Sequence, residues 1–189
     1  MTEFALVIPI LIILFVAIAD FGRIFQTGIT LEAAARNAAE ATSSAYLAAP
    51  PGPLDSPAPV AVAAYYQGLH QIAARAVCAE TRGFPNSNYD TATTDCPGMP
   101  LIQVCIHDGQ DSECTLEHYG QVLPTQCTDL AVAPTNATEP GYRWVEVRAC
   151  YRFTPIVTIP LLPLGEFWLQ RTRMFDIPCY FVLGNQACG

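Results

Sequence analysis

Residues 1–25 read MTEFALVIPILIILFVAIADFGRIF. Glu3 stands directly before residues 4–19, sixteen uncharged and mostly apolar positions, and Asp20 and Arg23 follow them. Beyond, Phe21, Ile24, Phe25, Gly28 and Leu31 keep i, i+3, i+4, i+7 spacing, the repeat of one helix face. The stretch LEAAARNAAEA continues it, because alanine is the best helix former. Pro50, Pro51 and Pro53 cannot extend it, since each lacks a backbone donor and clashes with the preceding turn. One helix over residues 2–47 is predicted, roughly 70 Å long at 1.5 Å per residue. Its apolar run covers roughly 24 Å, slightly short of a bilayer core of about 30 Å. Pro9 is expected to kink it, and Gly22 and Gly28 permit close approach of another backbone. So long and apolar a helix must lie in lipid or be buried against copies of itself.

The segment does not read as a cleaved secretory signal, which needs a basic stretch before the apolar run and small residues after it. Arg23 and Arg36 follow the run, so a positive-inside count would put the C-terminal side in the cytoplasm. The cysteines argue the reverse, and the conflict disappears if a basic leader once preceded Met1. Across the 189 residues the apolar fraction is 51% and the charged fraction 14%. The apolar residues concentrate at the N-terminus, which leaves the remainder compatible with a soluble domain. A net charge of −8 with no basic stretch lacks the electrostatic footprint of a nucleic-acid binder. The division read from this is an N-terminal hydrophobic helix over 1–50 and a cysteine-rich extracytoplasmic α+β domain over 51–189.

Eight cysteines, Cys78, Cys96, Cys105, Cys114, Cys127, Cys150, Cys179 and Cys188, all follow the helix, with no CxxC or CxxCH among them. Zinc knuckles and covalent haem do not fit; disulfides in an oxidising compartment do. Local closures suggest Cys179–Cys188, Cys114–Cys127 and Cys78–Cys96, leaving Cys105–Cys150 between strands. DSPAPVAVAAYYQGLHQIAARAVCAETRGF reads as a second helix, with Ser56 as N-cap, Pro57 in the first turn and Gly83 as a stop. Its apolar stripe is Ala61, Tyr65, Leu69, Ile72 and Ala76, which leaves His70 on the surface. Strands are predicted at PLIQVCIH, with Ile102, Val104 and Ile106 on one face, and at YRWVEVRACYRF. There Val145, Val147, Ala149, Tyr151 and Phe153 oppose Trp144, Glu146, Arg148, Cys150 and Arg152. FWLQRTRMF is a third. Three strands beside a helix make a small antiparallel sheet packed on the C-terminal half of the long helix, an α+β arrangement.

Asp108, Asp111 and Glu113 do not match a calcium loop, and a solvated turn accounts for them. Asn136 heads an N-A-T glycosylation sequon, which at most marks an exposed loop. No nucleophile elbow, phosphate loop, HExxH or dinucleotide fingerprint occurs. Nothing in the sequence suggests an enzyme, a metal site or a cofactor.

Glu3, Phe4, Ala5 and Leu6, then Pro9, the Leu/Ile/Val run and Asp20-Phe21-Gly22-Arg23 together resemble the start of TadE-like pilins of tight-adherence (Flp, type IVb) pilus systems. VEVRACYRFTPIVTIPLLPLGEFWLQRTRMFDIP resembles the family's closing strand, Pro/Leu-rich loop and strand. The resemblance implies a pilin-like lollipop: a long hydrophobic helix carrying a small disulfide-stabilised antiparallel-sheet domain. It implies a structural, non-enzymatic subunit, major or minor, of an extracellular filament involved in cell adhesion. Such a subunit is anchored by its transmembrane helix in the inner membrane before assembly and polymerises through that helix, with copies of itself in a helical filament or with other pilins. It further implies processing by a prepilin peptidase and handling by the pilus assembly machinery. Glu3 would then pair with the N-terminal amine of a neighbouring subunit and set axial register, the alternative being that it only marks the membrane surface, with Phe4, Pro9, Asp20, Phe21, Gly22 and Arg23 in the same assembly segment. Pilins usually carry this glutamate as the fifth mature residue and here it is the third, so a short leader and two mature residues are expected ahead of Met1. Asp20 and Arg23, three apart on one face, are expected to pair with each other. The alternative is a membrane-anchored extracytoplasmic binding module that does not polymerise.

Overall fold

The computed structural model describes residues 2–48, 59–108, 115–116, 127, 143–156 and 167–177, with side chains described from Val7 in the first helix and Ala64 in the second. Helix α1 runs over Thr2–Ala48 and α2 over Pro59–Thr81. Strands β1 (Leu101–His107), β2 (Thr115–Leu116), β3 (Trp144–Phe153) and β4 (Phe167–Asp176) follow. They form one sheet in the order β2-β1-β3-β4, with every neighbouring pair antiparallel. The fold is α+β, as the sequence indicates, with the two-residue edge strand β2 added to the three predicted strands. α1 is one helix through Pro9 and stops before the proline cluster.

The alanines of α1 set how closely everything else approaches. Leu31, Ala34, Ala35, Ala38, Ala39, Thr42, Ser43 and Tyr46 are buried, each three or four residues from another of the set, which keeps them on one face. Small side chains there let α2 and the sheet pack against α1 backbone to backbone. Thr42 and Thr81 are buried without stranding their hydroxyls, since Thr42 donates to Ala38 O at 2.8 Å and Thr81 to Val77 O at 2.9 Å. This is the i−4 bond that lets threonine sit inside a helix.

The helix-facing side of the sheet carries Ile102, Val104 and Ile106 from β1 and Val145, Val147, Ala149, Tyr151 and Phe153 from β3, all in one buried cluster with α1 and α2. The alternation read from the sequence places both sets correctly. Phe167 and Leu169 of β4 pack partly buried against the same core. The opposite side holds a smaller cluster of Leu101, Cys127 and Cys150, with Trp168 against it.

α2 is turned about its axis relative to the predicted stripe. Tyr66, Leu69, His70, Ala73, Val77, Cys78 and Thr81 are buried, one residue on from Tyr65, Ile72 and Ala76, or about 100° of helix rotation. His70 is 2% exposed rather than on the surface, and Ile72 is 40% exposed. Two tertiary demands choose this face: Cys78 must meet Cys96, and the Tyr66 hydroxyl reaches Asp108. The predicted caps Ser56 and Pro57 lie outside the described residues.

Cys78–Cys96 forms as expected, with Cα atoms 5.5 Å apart. The expected Cys105–Cys150 and Cys114–Cys127 bridges do not: Cys127 joins Cys150, Cα–Cα 6.0 Å. Strand register explains the first. Cys105 lies opposite Glu146, and Cys150 lies opposite Leu101. The two cysteines share a face but sit four residues out of step, about 13 Å at 3.3 Å per residue, and a disulfide needs Cα atoms within about 7 Å. Cys105 is itself disulfide-bonded. Cys114, Cys179 and Cys188 lie outside the described residues, and with them the expected Cys179–Cys188 bridge.

Candidate assembly surface

From Val7 to Ala19 the side chains of α1 face away from the folded domain. Val7, Ile8, Ile10, Leu11, Ile12, Ile13, Leu14, Phe15 and Ile18 are all exposed, and the helix is long and apolar enough to cross a membrane. The same helix is anchored firmly at its other end. It therefore divides into a projecting apolar half and a half whose inner face is domain core.

The junction is built by Asp20 and Arg23. Arg23 Nη1 donates to Asp20 Oδ1 at 2.9 Å, the pairing expected from their spacing. The sequence did not reveal their further partners. Asp20 also accepts the backbone N–H of Ile156, at 3.2 Å to Oδ1 and 3.1 Å to Oδ2, and the Arg23 guanidinium lies 5.2 Å from the centre of the Phe153 ring. The segment just after β3 is thus fastened to α1 where the apolar run stops. Asp20 is only 13% exposed, yet its charge is balanced and its oxygens are bonded, which is what a carboxylate in weakly polar surroundings requires.

Phe21 and Phe25 remain exposed, as does Ile29 further along, and they continue an apolar ridge at four-residue steps beyond the projecting half. Among the described residues, nothing lies within 4 Å of where a Cβ at Gly22 would stand. Gly28, read as a possible close-approach site for another chain, is already covered: a Cβ there would lie 3.2 Å from Arg171 Nη2 of β4. Beside it Arg171 and Arg173 both ion-pair with Glu32 of α1. Pro9 is exposed within α1. Glu3 and Phe4 lie in the first turns of the helix, and their side chains are outside the described set, as is Asn136.

Two polar clusters hold the domain together. Asp108 accepts hydrogen bonds from Tyr46 of α1, at 2.9 Å, and Tyr66 of α2, and Arg143 donates to the Tyr46 hydroxyl at 3.3 Å. Burial, then the carboxylate beside them, pushes both tyrosines far above their ordinary pKa. Asp108, read as part of a solvated turn, is instead the tie between both helices and β1. On the outer side of the sheet Glu146 is 3% exposed. It meets His107 Nε2 at 3.1 Å and accepts from Arg148 Nε, while His107 stacks on Trp144 with centroids 4.4 Å apart. Burial pushes the Glu146 carboxyl up, but the hydrogen bonds and positive charge of His107 and Arg148 outweigh it and hold the group below the ordinary carboxylate range. The two-residue spacing of Glu146 and Arg148 placed them on one strand face; the arrival of His107 depends on register with β1.

Cys105, His107 and Glu146 bring potential ligand atoms within 4.8 Å of one another. The Cys105 sulfur is committed to a disulfide and Arg148 occupies the carboxylate, so the trio does not offer a metal set. A cleft of about 290 Å³ beside the junction is lined by Arg23, Gln26, Thr27, Thr30, Glu80 and Phe84 among others.

Residues 1–40 match the family model for TadE-like protein. The match covers the projecting half of α1 and the first turns of its core-forming half, and it points to a protein associated with tight-adherence pili. No curated protein and no solved structure matches the chain.

Proposed function

We propose that this chain is a pilin-like structural subunit, major or minor, of an extracellular tight-adherence-type filament, held in the inner membrane by α1 before assembly and polymerising through it. The observation that carries this reading is the division of α1. Among the described residues, a disulfide-stapled core closes from Leu31 onward, while about two-thirds of a membrane thickness of apolar helix is left unburied. In this reading the segment, which lies within the TadE-like match, serves first as an anchor and then as the packing element of the filament. Relative to water each large side chain buried there would contribute about 1.5–3 kcal/mol. Lipid is the actual starting point, so the net gain is smaller, and van der Waals packing and the pairing of Glu3 with a neighbour's N-terminal amine carry more of the assembly. Copies of this chain or other pilins are the partners, with a prepilin peptidase and the assembly machinery acting beforehand; catalysis, cofactors and nucleic acid have no part.

The test is Glu3→Ala, compared with the unsubstituted chain by fractionating membranes and filaments sheared from intact cells. The variant is expected in the membrane but absent from the sheared fraction. Equal incorporation of both chains, or full function with residues 4–19 replaced by polyleucine, would instead make the protein a membrane-anchored binding module.

A further inference from the structure

We infer that the segment following β3, at Ile156, is a second lipid-contacting element, resting on the bilayer surface at the point where α1 emerges. The inference builds on the reading that the projecting half of α1 lies in the membrane. Residues 4–19 span roughly 24 Å against a hydrocarbon core of about 30 Å. A shortfall of about 6 Å is met by thinning the bilayer or by drawing neighbouring residues into its boundary. Asp20, the first charge after the run, is equipped for that boundary. It is largely covered, neutralised by Arg23 and bonded to the Ile156 N–H.

That hydrogen bond fixes the height of Ile156. Its backbone nitrogen lies about 3 Å from a carboxylate at the edge of the apolar run, and its side chain is 62% exposed. Phe21, 71% exposed, stands one residue past Asp20 at the same level. An isoleucine and a phenylalanine turned to water at one height are costly in solution and favourable at the headgroup–acyl boundary. The chain continues from Ile156 through VTIPLLPLG, nine residues without a charge, before Glu166. It returns at Phe167, opposite Phe153 in the sheet and 5.1 Å from its ring. Both ends of this uncharged connection therefore stand beside the membrane-proximal stretch of α1. A lipid surface fits Ile156 and Phe21 better than a polar protein partner: both are apolar and level with one another, and the carboxylate beside them is already satisfied.

The experiment uses the full chain in phosphatidylcholine vesicles, with Ile156→Trp and, separately, Phe15→Trp. The position is exposed and the bond to Asp20 comes from the backbone, so Ile156→Trp leaves the junction intact. Emission is compared with that of the unsubstituted chain, which reports Trp144 and Trp168 alone. The added tryptophan at 156 is expected to emit blue-shifted light, to be quenched by lipids brominated high on the acyl chain, and to be shielded from aqueous iodide. Quenching of Phe15→Trp by brominated lipid alongside iodide-accessible, bromine-insensitive emission at 156 would overturn the inference while leaving the anchor intact. A blue shift at 156 that ignores brominated lipid and grows with protein-to-lipid ratio would assign the surface to a second copy of this chain, and would equally overturn it. If Phe15→Trp is not quenched, the membrane reading fails and this inference falls with it.

Discussion

Replacing Glu146 with glutamine tests whether the outer face of the sheet is held by a charged network or merely by shape. The substitution keeps side-chain volume and some hydrogen bonding but removes the charge that His107 and Arg148 address. Charge-assisted hydrogen bonds contribute about 1.5–3 kcal/mol each and neutral ones about half that. Two such bonds lose part of their strength, and the desolvation cost of the buried carboxylate is relieved, so the expected net loss is about 1–3 kcal/mol. The pH dependence gives an independent readout. The folded state holds the Glu146 carboxyl below its ordinary value of 4.5. Its contribution is therefore fully present above the unfolded value and fades as pH falls through 4.5 toward the lower folded value. Urea unfolding of the full chain in detergent micelles, followed by emission of Trp144 and Trp168 with disulfides intact, measures both effects. The Glu146→Gln chain should be less stable at pH 7, and its difference from the unsubstituted chain should shrink as pH falls below the ordinary value of 4.5. A variant as stable as the parent at pH 7, or a difference that stays constant as the pH is lowered through 4.5, would refute the network.

Other outcomes follow from burial and covalent linkage. Leu31→Ala, at a fully buried position, should cost about 2–5 kcal/mol in the same unfolding assay. Ile29→Ala, exposed on the same helix two residues away, should change stability by less than about 0.5 kcal/mol; equal losses would mean that the inner face of α1 is misassigned. Non-reducing peptide mapping should recover Cys78 linked to Cys96 and Cys127 linked to Cys150, and a Cys105–Cys150 peptide would contradict the strand register. Removing the Cys78–Cys96 bridge with a paired Cys→Ala substitution should lower stability by about 2–4 kcal/mol.

How far the sequence carried the fold follows from the range of each signal. The extent of α1, predicted over residues 2–47 and found over Thr2–Ala48, is encoded in neighbours: an apolar run, then alanines, then prolines. The inward faces of β1 and β3 are encoded the same way, because a strand alternates every two residues whatever it pairs with. Cys78–Cys96 was legible as a short closure. The Asp20–Arg23 pair was legible because one helical turn brings the two together. All of these are decided by residues close in the chain.

What the tertiary structure decided are relations between segments far apart. α2 could bury either of two adjacent faces, and contact with α1, Cys96 and Asp108 chose the one that takes His70 inward and leaves Ile72 out. The register of β1 against β3 set Cys105 and Cys150 four residues out of step, and it brought His107 to Glu146. The covering of Gly28 by Arg171, the pairing of Glu32 with two arginines of β4 and the fastening of Ile156 to Asp20 each join positions more than 130 residues apart. Periodicity states which way a side chain points within its own helix or strand. The partner it meets depends on how rigid elements dock, and no local pattern in the chain specifies that.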